Sequence, residues 1–289
     1  MPLPEGHRFP IAKYAAIRDG VVARGLLPAA ALEEPDRCER AALGLVHTGR
    51  YVDAVMDGTL DPPEVRRLGF PWSPGLRERS LRTAQGTVEA ARDALEHGLG
   101  INLAGGTHHA FADRGEGFCV FNDVAIAIRT LQHEGRVTRA LVIDLDVHQG
   151  NGTARIFGDD PDVLTFSMHG AKNYPFHRER STLDVELPDG CGDAEYLACL
   201  ERHLDRVLDE SRAELAIYLA GADPYRGDRF GRLGLGLEGL RQRDRRVFRA
   251  CRRRGVPVAL TLAGGYARVI DDIVEIHCAT VAEGLAACG

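Results

Sequence analysis

From about residue 98 onward, short apolar runs alternate with helical patterns. The strand candidates are Gly98 to Ala104, Arg139 to Asp146, Val163 to His169, Glu214 to Ala220 and Pro257 to Ala263. Between them, apolar residues recur at helical spacing over Phe121 to Glu134, Asp193 to Arg212, Leu237 to Arg254 and Ala267 to Ala287. Strands that are apolar on both faces and separated by helices predict a parallel sheet covered on both sides. The first third reads differently. It holds helix patterns at Tyr14 to Arg24 and Asp36 to Asp57, then a long amphipathic helix from Leu76 to Glu96 that ends before Gly98. Pro62-Pro63 and the stretch Pro71 to Pro74 mark loops. No repeat, linker or low-complexity tract interrupts the chain. The expectation is an α/β protein, a single-domain three-layer α/β/α arrangement over residues 1–289 with a central, mainly parallel sheet.

In such sheets ligands bind beyond the carboxyl ends of the strands, so the residues after each strand are the ones to inspect. The first strand candidate is followed by Gly-Gly-Thr-His108-His109, and the second runs into Asp144-Leu-Asp146-Val-His148-Gln-Gly-Asn151. The strand ending near Ala220 leads to Asp223, and the one ending near Ala263 leads to Gly264-Gly265-Tyr266. Asp144, Asp146 and His148 alternate along an extended chain and so share a side. A carboxylate and an imidazole two residues apart can reach one divalent ion, and Asp223 can supply a third ligand. Two oxygens and one nitrogen, with room for water, suit a catalytic zinc site, and Fe2+ or Co2+ would accept the same set. Each piece alone has a plainer reading. Asp-x-Asp-x-His also suits magnesium or a helix cap, His108-His109 a buried structural histidine, Asp223 before Pro224 a turn, and Tyr266 a packed aromatic. Four strand ends delivering His, Asp and Tyr to one rim outweigh those separate readings.

Composition narrows the class. With 44% hydrophobic and 27% charged residues the chain reads as a water-soluble globular protein, and a net charge of -6 gives no electrostatic reason for a nucleic-acid partner. Arg252-Arg253-Arg254 fits the last turn of a helix, where positive charge suits the helix dipole. Seven cysteines, an odd number with no Cys-x-x-Cys pair, argue against a disulfide framework or a thiolate zinc site. The opening MPLPEGHRFP lacks the apolar stretch of a signal peptide. No apolar run approaches the ~20 residues that span a bilayer. A cytoplasmic protein without a membrane partner is expected.

The stretches GGTHHAFADRGEGFCVFNDVAIA, VIDLDVHQGNGT, LTFSMHG, AGADPYRGDRFG and LAGGY resemble the histone deacetylase family, in its order and spacing. HQGNG and GDRFGRLGLGLEGLRQRD are most similar to its small class IV branch. The resemblance implies the arginase/deacetylase fold and hydrolysis of an acyl group, acetyl or longer, from the Nε of lysine in a protein or peptide. It places Asp146, His148 and Asp223 on the zinc ligands and His108 and His109 on the tandem active-site histidines. Asp144 falls on the partner of His108, Asn151 on the partner of His109, and Tyr266 on the tyrosine that hydrogen-bonds the substrate carbonyl. Gly117 and Phe118 fall on one wall of the acyl-lysine channel, Phe230 on the opposite wall, and Gly265 beside the substrate. A structural potassium ion is implied at Asp144, Ser167 and the backbone of Asp146, His148 and Met168. Three positions depart from the commoner pattern: Gln149 replaces a histidine, Asn151 an aspartate and Thr107 an aromatic. An amide cannot raise the basicity of His109 as a carboxylate would, so His109 should stay neutral over a wider pH range.

Three other readings share these residues. The same machinery could act on a small acylated amine such as an acetylpolyamine, with the loops Phe70 to Arg77 and Tyr174 to Thr182 deciding. An inactive scaffold would have lost a ligand, a histidine or the tyrosine, and this chain keeps all of them. A two-manganese site as in arginases needs further Asp-x-His ligands. Oligomeric state cannot be read from the sequence.

Overall fold

The computed structural model describes residues 1–288. Six parallel strands form one sheet in the order β1-β6-β5-β2-β3-β4, with β1 Leu99–Asn102, β2 Ala140–Asp144, β3 Val163–Gly170, β4 Leu183–Leu187, β5 Leu215–Leu219 and β6 Val258–Thr261. Helices α1 Lys13–Ala23, α2 Arg40–Gly44, α3 Gly49–Asp57, α4 Pro62–Leu68, α5 Pro74–His97, α6 Asp123–His133, α7 Asn151–Phe157, α8 Asp193–Ser211, α9 Leu237–Arg253 and α10 Ile270–Cys288 surround it. Alternate strand residues feed two cores. Leu141, Ile143, Tyr218 and Leu260 pack with Ile17, Leu200, Val247 and Ile273 from α1, α8, α9 and α10. Val142, Ile217, Leu219 and Ala259 pack with Val55, Val88, Ile128 and Phe157 from α3, α5, α6 and α7. The three-layer expectation stands, and the sheet is wholly parallel.

Both faces of β2 and β5 are buried, as their ALVID and LAIYL sequences require. From β1 at one edge the chain crosses to β2, runs outward through β3 to β4, then returns to β5 on the other side of β2 and continues to β6 beside β1. The boundary between β2 and β5 is therefore the topological switch point, where a crevice opens at the strand ends.

Several elements differ from the sequence expectations. The helix over 36–57 is two helices, because Leu45 to Thr48 leave the helical path to hold the neighbouring layer. Thr48 N donates to Ala112 O, and Thr48 Oγ1 caps α3 at Tyr51 N. His47, 3% exposed, has Nδ1 3.0 Å from Phe111 O, and its Nε2 accepts from Asn122 N at 3.0 Å. Pro62-Pro63 opens α4 rather than a loop, since Asp61 and Glu64 make a reciprocal capping box and proline needs no donor in the first turn. Ser73 caps α5 by accepting from Leu76 N, with Pro74 behind it. Elements not foreseen include β4, a short edge strand carrying two acids, and α7, a helix of 7 residues.

Burial holds His47 neutral and lowers its pKa to about 4, with backbone hydrogen bonds opposing part of the shift. The folded value lies below the unfolded one of about 6.5, so its contribution is whole above pH 6.5 and is lost as pH falls toward 4. The stability gap between wild type and His47→Gln is expected to narrow by about 3 kcal/mol from pH 7 to pH 4 in chemical unfolding. A gap that does not move with pH would contradict this.

Candidate metal-assisted active site at the switch point

Asp146 and His148 follow β2, and Asp223 follows β5, so the switch point brings them together. Their ligand atoms lie within 4.8 Å of one another, and they form the only such cluster of His, Cys, Asp or Glu among the described residues. Regular strand ends at Asp144, and residues 146–148 form a bend. The bend keeps the side chains convergent: His148 Nδ1 is 2.9 Å from Asp146 Oδ1 and 3.3 Å from Asp223 Oδ2. Backbone amides orient the carboxylates. Gly264 N donates to Asp146 Oδ2 at 2.8 Å, His148 N to Asp146 Oδ1 at 2.9 Å, and Val147 N to Asp223 Oδ1 at 2.9 Å.

The donor set fits a divalent cation. Asp223 is fully buried and its Oδ2 has no hydrogen-bond partner, which is costly unless a cation takes the lone pair. Burial and then the charge of Asp146 push the Asp223 carboxyl up to about 7. Burial also opposes protonation of His148, but the hydrogen bond to Asp146 and the nearby carboxylate of Asp223 outweigh it and raise the imidazole to about 10. Two crowded carboxylates thus compete for positive charge that a metal ion can supply.

Gly264 lies directly against this cluster. A Cβ there would sit 1.9 Å from Asp223 Oδ2 and 2.5 Å from Asp146 Oδ2. Gly264→Ala is expected to weaken divalent-ion binding by roughly 10- to 100-fold, as measured by titration calorimetry. Unchanged affinity would show that the carboxylates do not act together.

His108 and His109 leave the loop after β1. Asp123 anchors that loop by accepting from Gly106 N at 2.9 Å and Thr107 N at 2.6 Å, while Asn122 Nδ2 donates to Ala110 O at 3.0 Å. These duties explain why α6 begins at Asp123 and not at Phe121. His108 Nδ1 is 2.7 Å from Asp144 Oδ2, and His109 Nδ1 is 2.7 Å from Asn151 Oδ1. Burial alone would depress His108, but the carboxylates of Asp144 and Asp146 outweigh it and raise it to about 9. Burial, with His108 and His148 nearby, holds His109 well below its ordinary range.

Tyr266 is 9% exposed and lines the same cavity as the two histidines. Its N donates to Asp228 Oδ2 at 2.6 Å and its carbonyl accepts from Arg229 Nε at 2.8 Å. Burial pushes its hydroxyl pKa well above the usual phenol value. Phe118 and Gly117 line the same cavity, as do Gly264, Thr107, Asp146, His148, Phe9, Tyr14 and Arg79. Phe230 is half-buried and packs against Tyr266, with ring centroids 4.9 Å apart. Gly265, in the left-handed half of backbone space (φ 149), turns the chain into Tyr266. Asp144 lies opposite Ser167 in the β2–β3 register, and the Ser167 hydroxyl is 2.9 Å from His169 Nδ1. Gln149 faces away from the cavity, donating to Glu179 O and Asp184 Oδ1. Thr107 gives its hydroxyl to Asp123 and the Phe121 carbonyl. Cys119 is a buried thiol, its pKa raised by burial.

Residues not singled out from the sequence complete the site. Lys13, 1% exposed on α1, donates from Nζ to Ala263 O at 3.3 Å and Gly265 O at 3.2 Å, and stands 5.3 Å from the Tyr266 ring centroid. The Tyr174 ring stands edge-on to His109 at 5.0 Å. Glu116 accepts from Asn151 Nδ2. A lysine within an otherwise apolar helix face was the one available signal for Lys13. Glu116 and Tyr174 meet the site only through the fold.

Residues 7–281 match the histone deacetylase domain family. A protein of Picosynechococcus, itself uncharacterized, is 47% identical over 276 residues, covering 96% of this chain and 92% of its own length. Histone deacetylase 2 of Arabidopsis thaliana is 34% identical over 288 residues, covering 95% of this chain and 74% of its own. The crystal structure of a histone deacetylase homologue from Aquifex aeolicus shares the fold with a TM-score of 0.83 at 24% identity, over 98% of this chain and 80% of that one.

Proposed function

The chain belongs to the histone deacetylase family, and from that premise we propose that it is a zinc-dependent hydrolase releasing an acyl group, acetyl or longer, from the Nε of lysine in a protein or peptide. The observation that carries this is one cavity lined by His108, His109, Asp146, His148 and Tyr266, with Asp223 completing the ligand set. When bound, the ion held by Asp146, His148 and Asp223 polarises the scissile carbonyl and acidifies water.

The remaining work falls to side chains. His109, kept neutral by burial, takes the proton of the attacking water at Nε2 and returns one to the departing amine. Its Nδ1 is committed to Asn151. Tyr266 stays protonated and donates to the carbonyl oxygen as that oxygen gains negative charge. His108, held cationic between Asp144 and Asp146, adds fixed positive charge beside the developing oxyanion. Phe118 and Tyr174 flank the lysine chain, Phe230 backs Tyr266, and Gly117 and Gly265 allow close approach. A potassium ion held by Asp144, Ser167 and the carbonyls of Asp146, His148 and Met168 would brace β2 against β3. Fe2+ or Co2+ is compatible with the same three ligands. HQGNG, which contains Asn151, favours the class IV branch, and a cytoplasmic setting agrees with the free cysteines among the described residues.

The rim favours peptide over polyamine. Arg8 and Arg229 stand 5.7 and 5.8 Å from the ring centroid of Phe230, which packs on Tyr266 of the cavity wall, and a polycationic amine approaching from that side would meet repulsion. Phe176, 85% exposed next to Tyr174, offers an apolar contact for residues flanking the lysine. The test is a panel of acetyl-lysine peptide, longer acyl-lysine peptides and acetylpolyamine, with chelated and zinc-restored enzyme. Zinc-dependent release from a peptide is expected. Faster turnover of the acetylpolyamine would move the assignment to small amines, and no turnover of any member by the zinc-loaded protein would make it an inactive scaffold.

A further inference from the structure

His109 faces an amide, and an amide can present either oxygen or NH2 to an imidazole. The two arrangements differ chemically. With Oδ1 toward His109, Nδ1 carries the ring proton and Nε2 keeps a lone pair to accept one. With Nδ2 toward it, the proton sits on Nε2 and the ring cannot act as a base. In a hydrolase triad the wrong imidazole tautomer costs about 10⁴ in kcat. Nothing within the His109–Asn151 pair selects between them.

We infer that Glu116 makes this selection, as a positioning residue acting through Asn151; the inference rests on the reading of His109 as the proton-transfer base. Asn151 Nδ2 is 3.2 Å from Glu116 Oε1, while Asn151 Oδ1 is 2.7 Å from His109 Nδ1. A carboxylate only accepts, so it draws Nδ2 and leaves Oδ1 for the imidazole. The Tyr174 hydroxyl donates to the same Oε1, and Arg114 Nε lies 3.8 Å from Oε2. Asn151 is 2% exposed and the Glu116 side chain 15%, so little water competes.

The backbone fixes the carboxylate in this place. Glu116 N donates to Cys119 O at 3.0 Å and Cys119 N to Glu116 O at 2.8 Å, closing a tight turn through Gly117 (φ 54) and Phe118 (φ 68). A Cβ on Gly117 would stand 2.7 Å from His109 Cδ2, so only glycine lets the turn come this near. One turn therefore supplies both the channel wall at Phe118 and the acceptor that orients Asn151. The negative charge that Asn151 lacks is present one residue further from the histidine, where it sets polarity without touching the ring.

The test compares wild type, Glu116→Met, Glu116→Gln and the double variant Glu116→Met/Asn151→Asp. It uses steady-state kinetics on an acetyl-lysine peptide and long-range 1H–15N spectra of His109, its resonance assigned by loss in His109→Ala. Glu116→Met should lower kcat roughly 10- to 10²-fold, with KM within about twofold, and move His109 toward the Nε2-protonated tautomer. Glu116→Gln keeps an acceptor at Oε1 and should stay within about threefold of wild type. Asn151→Asp added to Glu116→Met should restore kcat and the Nδ1 proton, because aspartate has no N–H to present. A packing role for Glu116 would not be rescued by that second substitution. Unchanged kcat and tautomer in Glu116→Met, or no recovery in the double variant, would overturn the inference. Equal turnover by wild type and His109→Ala would instead remove His109 as the base, while the spectra, which need no substrate, still report on Glu116.

Discussion

Asp223→Ala is expected to leave the protein without tightly bound metal and with kcat/KM lowered by roughly 10³-fold or more, since several kcal/mol of transition-state stabilisation depend on the ion. Asp223 Oδ2 is buried without a hydrogen-bond partner, and Asp146 pushes against it. Removing the side chain relieves that repulsion, so the metal-free variant should unfold at or above the melting temperature of the metal-free wild type. The upward shift that saturating zinc gives the wild type should be missing, because an ion that binds only the folded state stabilises in proportion to its affinity. Elemental analysis and paired melting curves with and without zinc separate loss of a ligand from loss of fold. Stoichiometric zinc in Asp223→Ala would remove this residue from the ligand set.

Tyr266→Phe should lower kcat by roughly 10²–10³, the usual loss for one oxyanion donor, with metal content and KM nearly unchanged. The ring keeps its neighbours: Phe230 at 4.9 Å, Phe118 at 6.1 Å and Phe9 at 6.2 Å. The loop beneath it is held through backbone atoms by Asp228, Arg229 and Lys13, none of which touches the hydroxyl. The variant therefore isolates one hydrogen bond that matters only as charge develops. Turnover near wild type would mean that Tyr266 merely packs.

Much of this arrangement is legible from pattern alone. Continuous apolar runs announce β2 and β5, and their ends point to Asp146, His148 and Asp223. The pairing order is not written locally, so the adjacency of β2 and β5, which makes the three into one site, emerges only in the sheet. β4 escapes notice because LDVEL is short, half polar and lies at an edge. The break near His47 escapes because the residues from 36 to 57 are compatible with one helix; what overrides them is the demand of buried amides and carbonyls at Phe111, Ala112 and Asn122. Asn151 opposite His109 follows from resemblance. Glu116 and Tyr174 could not have been singled out, since their meeting depends on two loops separated by 58 residues.

Lys13 reaches from α1 to carbonyls 250 and 252 positions further along the chain. On that account the tyrosine at the far end of the sequence cannot be seated by its own neighbours alone. During synthesis, α1, β1, β2 and β5 can all exist while the catalytic loop is still untranslated, and an ammonium group must wait, unpaired, for its acceptors. Release of nearly the whole polypeptide is thus a precondition of hydrolysis, and a truncated translation product would be inert even if most of the metal ligands were in place.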